Sequence, residues 1–110
     1  MKWKIWRMKK SMNSNITKIG EKQFAPGMKT TKYDSPNYKF SLTTDGDTTD
    51  IIGTPKNIDY PTITGIGENN ENCSFSLQQT IPIIGEEEID KQIEILQNVK
   101  REICGLKNIM

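Results

Sequence analysis

The sequence predicts a small α+β domain, in which three or four antiparallel strands form a sheet over residues 38–84 and one C-terminal amphipathic helix, residues 86–105, packs on it. Three observations support this fold class. Apolar and polar residues alternate from Tyr38, they alternate again from Cys73, and the apolar spacing changes to that of a helix after Gly85. A chain of 110 residues has room for one such domain and not for several.

The first predicted strands form a hairpin. Three apolar residues alternate with polar ones, which is the period of a strand with one buried face: Tyr38, Phe40 and Leu42. Asp45-Gly46 is a typical hairpin turn, and a return strand follows over residues 48–54. A third extended segment covers residues 58–66, where Pro61 favours an edge position because proline cannot donate a main-chain hydrogen bond.

The last predicted strand covers residues 73–84, and the predicted helix follows it. After Gly85 the apolar residues are spaced by four, three, three, four and three positions: Ile89, Ile93, Leu96, Val99, Ile103 and Leu106. Both helix ends agree with the helix dipole, since residues 86–88 are acidic and residues 100–101 are basic. Gly105 is expected to end the helix.

These patterns predict one hydrophobic core for a domain of residues 38–110. Its expected members are Phe40, Leu42, Phe75, Leu77, Ile81, Ile89, Leu96, Val99 and Ile103. Ile93 and Ile95 widen the apolar arc of the helix beyond what one sheet face covers. We therefore expect these two residues to bind a protein partner or a second copy of the chain.

Residues 1–37 are predicted to form a flexible basic arm, because they show no sustained apolar period. Residues 1–32 hold nine Lys or Arg residues and one acidic residue, a net charge of +8. Residues 33–110 have a net charge of −7, although the whole chain is close to neutral. Such asymmetry is typical of contact with nucleic acid or an anionic surface, or of a tail that folds back on its own acidic body.

The start of this arm is the candidate nucleic-acid site. Cations there interleave with two tryptophans: Lys2, Trp3, Lys4, Trp6, Arg7, Lys9 and Lys10. Aromatic rings stack on unpaired bases while cations follow phosphates, which predicts sequence-tolerant binding to single-stranded nucleic acid or to a nucleotide. The same composition suits an anionic membrane surface. The alternatives without a ligand are a solubilising tail and a segment that precedes a natural start at Met28.

The sequence does not favour an enzyme. It contains no histidine, which excludes histidine-based catalytic triads and removes the commonest metal ligand. Cys73 and Cys104 have no CxxC partner, so neither a zinc site nor a redox motif nor a disulfide scaffold is predicted. We predict a non-enzymatic protein without a metal or a cofactor.

Three short motifs resemble functional sites but lack their defining residues. Gly65-Ile66-Gly67 lacks the third glycine and the following helix of a dinucleotide-binding turn. The aspartates of the 45–50 turn lack the glycine and the glutamate that an EF-hand loop requires. The acidic residues at 86–90 lie at one helix start and not across a cleft, as paired catalytic carboxylates do.

Neither a signal peptide nor a membrane span is predicted. The first ten residues carry charge throughout, and the apolar runs are far shorter than the roughly 20 residues that cross a bilayer. These features, with two unpaired cysteines, predict a cytoplasmic protein. The composition is rich in Asn, Ile and Lys and resembles that of proteins from low-GC bacteria and their phages, which implies an origin in a phage or another mobile element.

The sequence leaves two candidate functions. The first is a small non-enzymatic binding protein that contacts nucleic acid or a nucleotide through the basic arm. The alternative is a protein-interaction or oligomerising factor, for example an inhibitor of a host component, that uses the C-terminal helix and an open sheet edge.

Overall fold

The computed structural model describes residues 16–68, 72–78 and 85–109. The chain divides into two compact units, one of residues 18–81 and the other of residues 1–17 and 82–110. The first unit contains an antiparallel sheet, and the second contains a C-terminal helix. The predicted α+β class is therefore confirmed.

Among the described residues the sheet has six strands, so the prediction of three or four was wrong. The strands are β1 (Thr17–Ala25), β2 (Met28–Asp34), β3 (Tyr38–Asp45), β4 (Thr48–Pro55), β5 (Thr62–Glu68) and β6 (Asn72–Gln78). Their order in the sheet is their order in the sequence, and the pairs from β2 to β6 are antiparallel. The β3–β4 hairpin turns through Gly46 and Asp47, one residue later than the predicted Asp45-Gly46 turn, because Asp45 still pairs with Thr48. Gly46 has a φ of 63°.

The two additional strands, β1 and β2, lie in the segment that was predicted to form the arm. They connect through Pro26 and Gly27, and the φ of 83° at Gly27 is a conformation that glycine adopts without strain. Nearly every residue of β1 is exposed, because β1 is an edge strand. Its main-chain pairing with β2 requires no buried apolar face, so the alternation that reveals β3 is absent.

One face of the sheet carries the buried residues of this unit. Its most buried apolar side chains are Tyr38, Phe40, Leu42, Ile51 and Ile63. Phe40 and Leu42 are thus confirmed as core residues, and Phe75 is half-buried. Leu77 is 42% exposed, so its assignment to the core was wrong. It lies on β6, which is an edge strand of the sheet among the described residues.

The first residues of β3 are held by a buried polar network. The Tyr38 hydroxyl donates to the Pro61 carbonyl oxygen at 2.7 Å, and the Ser35 hydroxyl donates to the Tyr38 carbonyl oxygen at 3.0 Å. The Tyr38 ring stacks on Phe40 and meets Tyr60 edge to face, with ring centroids 5.6 and 5.9 Å apart. The network anchors the loop before β5 to the middle of the sheet.

The helix, α1, covers Glu86–Ile109. Its buried residues lie on one side: Ile95, Val99, Glu102, Gly105 and Leu106. Val99 is confirmed as buried, and Ile103 is half-buried. Ile89 and Leu96 are 46% and 44% exposed, so their assignment to the core was wrong. Ile81, also assigned to the core, lies outside the described residues.

Gly105 does not end the helix, which continues for four more residues. The side chain of Ile16, which is itself buried, packs against the helix at this position. A Cβ at residue 105 would lie only 2.9 Å from Ile16 Cδ1. The glycine therefore serves close packing, and not the left-handed conformation that ends a helix.

Candidate interaction surfaces

The predicted nucleic-acid site lies outside the described residues. This applies to all seven of its members: Lys2, Trp3, Lys4, Trp6, Arg7, Lys9 and Lys10. Residues 1–32, the basic segment, hold four further cations, all of which lie on β1 and β2: Lys18, Lys22, Lys29 and Lys32. The basic segment thus includes an edge of the sheet, where lysines oppose unwanted pairing with other strands.

Most cations on β1 and β2 interact with neighbours in the chain. Lys18 Nζ lies 2.6 Å from Glu21 Oε1, and Lys29 Nζ lies 3.6 Å from the same oxygen. The hydrogen bond from Lys18, together with the charges of Lys18 and Lys29, lowers the pKa of the Glu21 carboxyl. The same hydrogen bond raises the pKa of Lys18. Lys22 lies over the Phe24 ring, 5.1 Å from its centroid.

The outer face of the sheet consists of the side chains on β2–β6 that alternate with the buried ones. Hydroxyl groups dominate it: Thr30, Ser41, Thr43, Thr54, Thr64, Ser74 and Ser76. A depression of about 390 Å³ lies among the residues of β4, β5 and β6, where Ile52 and Ile66 flank Asp50 and Thr64. A second depression, of about 240 Å³, is lined by Ile19, Lys32 and Lys39 among others.

The outer face offers no aromatic ring for stacking within the described parts of β2–β6. By register, Tyr33 lies opposite Phe40, and Phe75 lies in the same cross-strand row as Leu42, so these rings point to the buried face. Base stacking needs exposed aromatic rings. The outer face therefore lacks the chemistry of a stacking platform for single-stranded nucleic acid.

The helix presents a second surface, which we name the apolar stripe: Ile89, Ile93, Leu96 and Ile103. The first three are 46%, 50% and 44% exposed, and Ile103 is half-buried. Ile93, one of the two predicted partner-binding residues, lies in the stripe. The other, Ile95, is only 4% exposed and lies on the buried side.

Sequence reasoning missed Ile89 and Leu96 as surface residues. The helix carries apolar residues over two adjoining arcs, one centred on Ile95 and the other on Leu96. Successive helix residues are about 100° apart, so the two arcs differ by about one residue step. The apolar period itself contains no signal that distinguishes the covered arc from the exposed one.

Charge is distributed unevenly along α1. Residues 86–94 hold five acidic residues and one lysine, whereas residues 100–107 hold Lys100, Arg101, Lys107 and the buried Glu102. Lys100 and Lys107 continue the apolar stripe toward the helix C-terminus, four residues after Leu96 and Ile103 respectively. The stripe therefore has acidic residues around one end and basic residues at the other.

Within residues 16–68, 72–78 and 85–109, no group of three histidine, cysteine or carboxylate side chains lies close enough to hold a metal ion. Both cysteines are free, Cys73 half-buried and Cys104 exposed. In the same part of the chain, no helix has the length and apolar character that crossing a membrane requires.

Comparisons with family models, with curated proteins and with solved structures found no match to this chain.

Proposed function

We propose that this chain is a small non-enzymatic protein-interaction factor whose contact surface is the apolar stripe of α1. The observation that carries the proposal is the exposure of three large aliphatic side chains on one side of the helix, Ile89, Ile93 and Leu96. Single exposed apolar residues are normal on protein surfaces, whereas contiguous ones mark an interaction site.

The spacing of these residues supports the same conclusion. Ile89, Ile93 and Leu96 occupy positions i, i+4 and i+7, which are the anchor positions of a helix that binds a groove or another helix. Covering them removes apolar surface from water, which contributes about 25 cal/mol per Å². The opposite arc of α1 is buried within the chain, so this contact leaves the packing of Val99 and Leu106 unchanged.

The test is site-specific photo-crosslinking in living cells. A benzophenone side chain replaces Ile93 in one variant and Glu87 in the control, since Glu87 is exposed and lies about 120° around the helix axis. We expect a covalent adduct with protein, either another protein or a second copy, from position 93 and not from position 87. Equal adducts from both positions, or none from either, would refute the proposal.

A second candidate function is single-stranded nucleic-acid binding by the arm, favoured by the net charge of +8 on residues 1–32. Phosphate is attracted to this segment and repelled by the acidic remainder of the chain.

Fluorescence anisotropy of labelled single-stranded DNA tests nucleic-acid binding by the arm. The affinity of the full chain is compared with that of a variant in which the five cations of residues 2–10 are replaced by glutamine. Substitution is preferable to a Met28 start, because β1 ends before Met28 and would be lost. Equal affinity of the two chains, or no binding by either, would exclude the arm as the site.

A further inference from the structure

We propose that the apolar stripe binds the same stripe of a second copy of the chain, with the two α1 helices antiparallel. This inference rests on the proposed interaction function and names the partner of that surface. Its support is the symmetry of the stripe, its charge distribution and the exposure of its residues.

Three of the four apolar residues of the stripe are arranged symmetrically about Leu96. Ile89 precedes Leu96 by seven residues, and Ile103 follows it by seven. In a dimer with a two-fold axis, residue i of one copy meets residue j of the other and the reverse also holds. An axis beside Leu96 therefore brings the two Leu96 side chains together and places Ile89 against Ile103 at both ends.

Ile93 does not need a second isoleucine opposite it. In this register it lies near Lys100 of the second copy, whose methylene groups cover apolar surface while the ammonium group remains in water. Lys100 is exposed, so this arrangement does not bury an unpaired charge.

The charges of α1 select the antiparallel direction. An antiparallel pair places the acidic residues 86–94 of each copy beside Lys100, Arg101 and Lys107 of the other. A parallel pair would place the acidic ends side by side, where like charges repel. The helix dipoles act in the same sense, because antiparallel helices bring opposite ends together.

The first experiment measures the oligomeric state of the full chain by sedimentation velocity over micromolar to millimolar concentrations. We expect a concentration-dependent dimer, since the stripe holds only four partly exposed side chains, whereas a typical stable interface has about 20–30 residues on each side. Leu96→Glu should weaken the dimer at least about tenfold, because the axis brings two glutamates together and removes two leucines. Ile58→Glu is the control, since Ile58 is 89% exposed and lies outside α1.

Circular dichroism checks that each variant retains its helix. If Leu96→Glu unfolds, Ile89→Glu is used as a second variant.

A wild-type chain that stays monomeric, or equal weakening of the dimer by Leu96→Glu and Ile58→Glu, would overturn the proposal. If the chain is monomeric while position 93 crosslinks to a different protein, the interaction function stands and self-association fails. If position 93 yields no protein adduct, the interaction function fails as well.

The second experiment determines helix direction. Asn108→Cys, with Cys73→Ser and Cys104→Ser, carries one nitroxide label per copy near the helix end. Residue 108 is twelve residues from Leu96, so an antiparallel pair separates the labels by roughly 35–45 Å and a parallel pair by less than about 25 Å. Pulsed electron spin resonance distinguishes the two distances, and the shorter one would overturn the antiparallel arrangement.

Discussion

Gly53 allows Phe40 to pack closely against the main chain of β4. A Cβ at residue 53 would lie 2.8 Å from Phe40 Cε1 and 3.0 Å from Ile63 Cβ. Both neighbours are almost fully buried, so neither can move without disturbing the core. We expect Gly53→Ala to lower the free energy of unfolding in urea by about 1–3 kcal/mol.

Gly20→Ala is the matched control, because no atom of the described residues lies within 4 Å of the Cβ that it adds. We expect no loss of stability from Gly20→Ala, since alanine is no worse than glycine in an unstrained strand. Equal losses from the two variants would mean that the cost at residue 53 is not steric.

The Glu21 carboxyl is expected to titrate below its ordinary range, because Lys18 donates a hydrogen bond to it. Folding lowers this pKa, so the pair stabilises the fold above the ordinary carboxyl pKa, and that contribution is lost as pH falls through the lowered value. Carbon-detected NMR titration should show the Glu21 pKa rising in Lys18→Met. Lys22→Met should leave it unchanged, because Lys22 lies over Phe24. An unchanged Glu21 pKa in Lys18→Met would contradict the hydrogen bond.

At the scale of the helix, Leu96 and Leu106 represent the two apolar arcs of α1, since Leu96 lies in the exposed arc and Leu106 in the buried one. Leu106 is fully buried and Leu96 is 44% exposed. We expect Leu106→Ala to reduce the free energy of unfolding by about 2–5 kcal/mol, because it leaves a cavity. Leu96→Ala should change it by less than about 1 kcal/mol. Chemical denaturation at a concentration that keeps the chain monomeric measures both, and similar losses would place Leu96 in the core after all.

The helix could be predicted from the sequence because apolar period, acidic start and basic end agree. Which arc is buried could not be predicted, since the choice depends on contacts remote in sequence. Ile95 and Leu96 are neighbours of equal apolar character, yet only Ile95 is covered. The candidate surface was therefore half predicted, with Ile93 identified and Ile89 and Leu96 assigned to the core.

A strand can be predicted from apolar alternation only where one of its faces is buried. β3 alternates clearly because one of its faces is buried. β1 and β2 have few buried residues and therefore leave no such trace, although they pair through the same main-chain groups. Residue 31 is the clearest example, since Thr31 is buried on β2 opposite Leu42 and is not apolar. A search for apolar alternation therefore does not detect polar strands with few buried residues.

For the whole molecule, the separation of charge predicts how any nucleic-acid binding depends on salt. Each phosphate neutralised on a single strand contributes about −0.7 to the slope of log affinity against log salt, so the five cations of residues 2–10 give at most roughly −3.5. The slope from anisotropy at several salt concentrations should fall toward zero in the five-glutamine variant. An unchanged slope would assign the electrostatic contact to other residues, such as Lys32 and Lys39 on the sheet.

The sequential order of the strands has a consequence for how the sheet is made during translation. Each strand from β2 onward pairs with the strand synthesised just before it, and no connection crosses over the sheet. The loops to be closed are therefore short and cost little chain entropy. Topologies built from such local pairings fold faster than those that need distant segments to meet. As the chain leaves the ribosome, the strand with which each new strand pairs has already been synthesised. The sheet can therefore grow by one strand at a time, from β1 to β6, and the most recently added strand always has an unpaired edge.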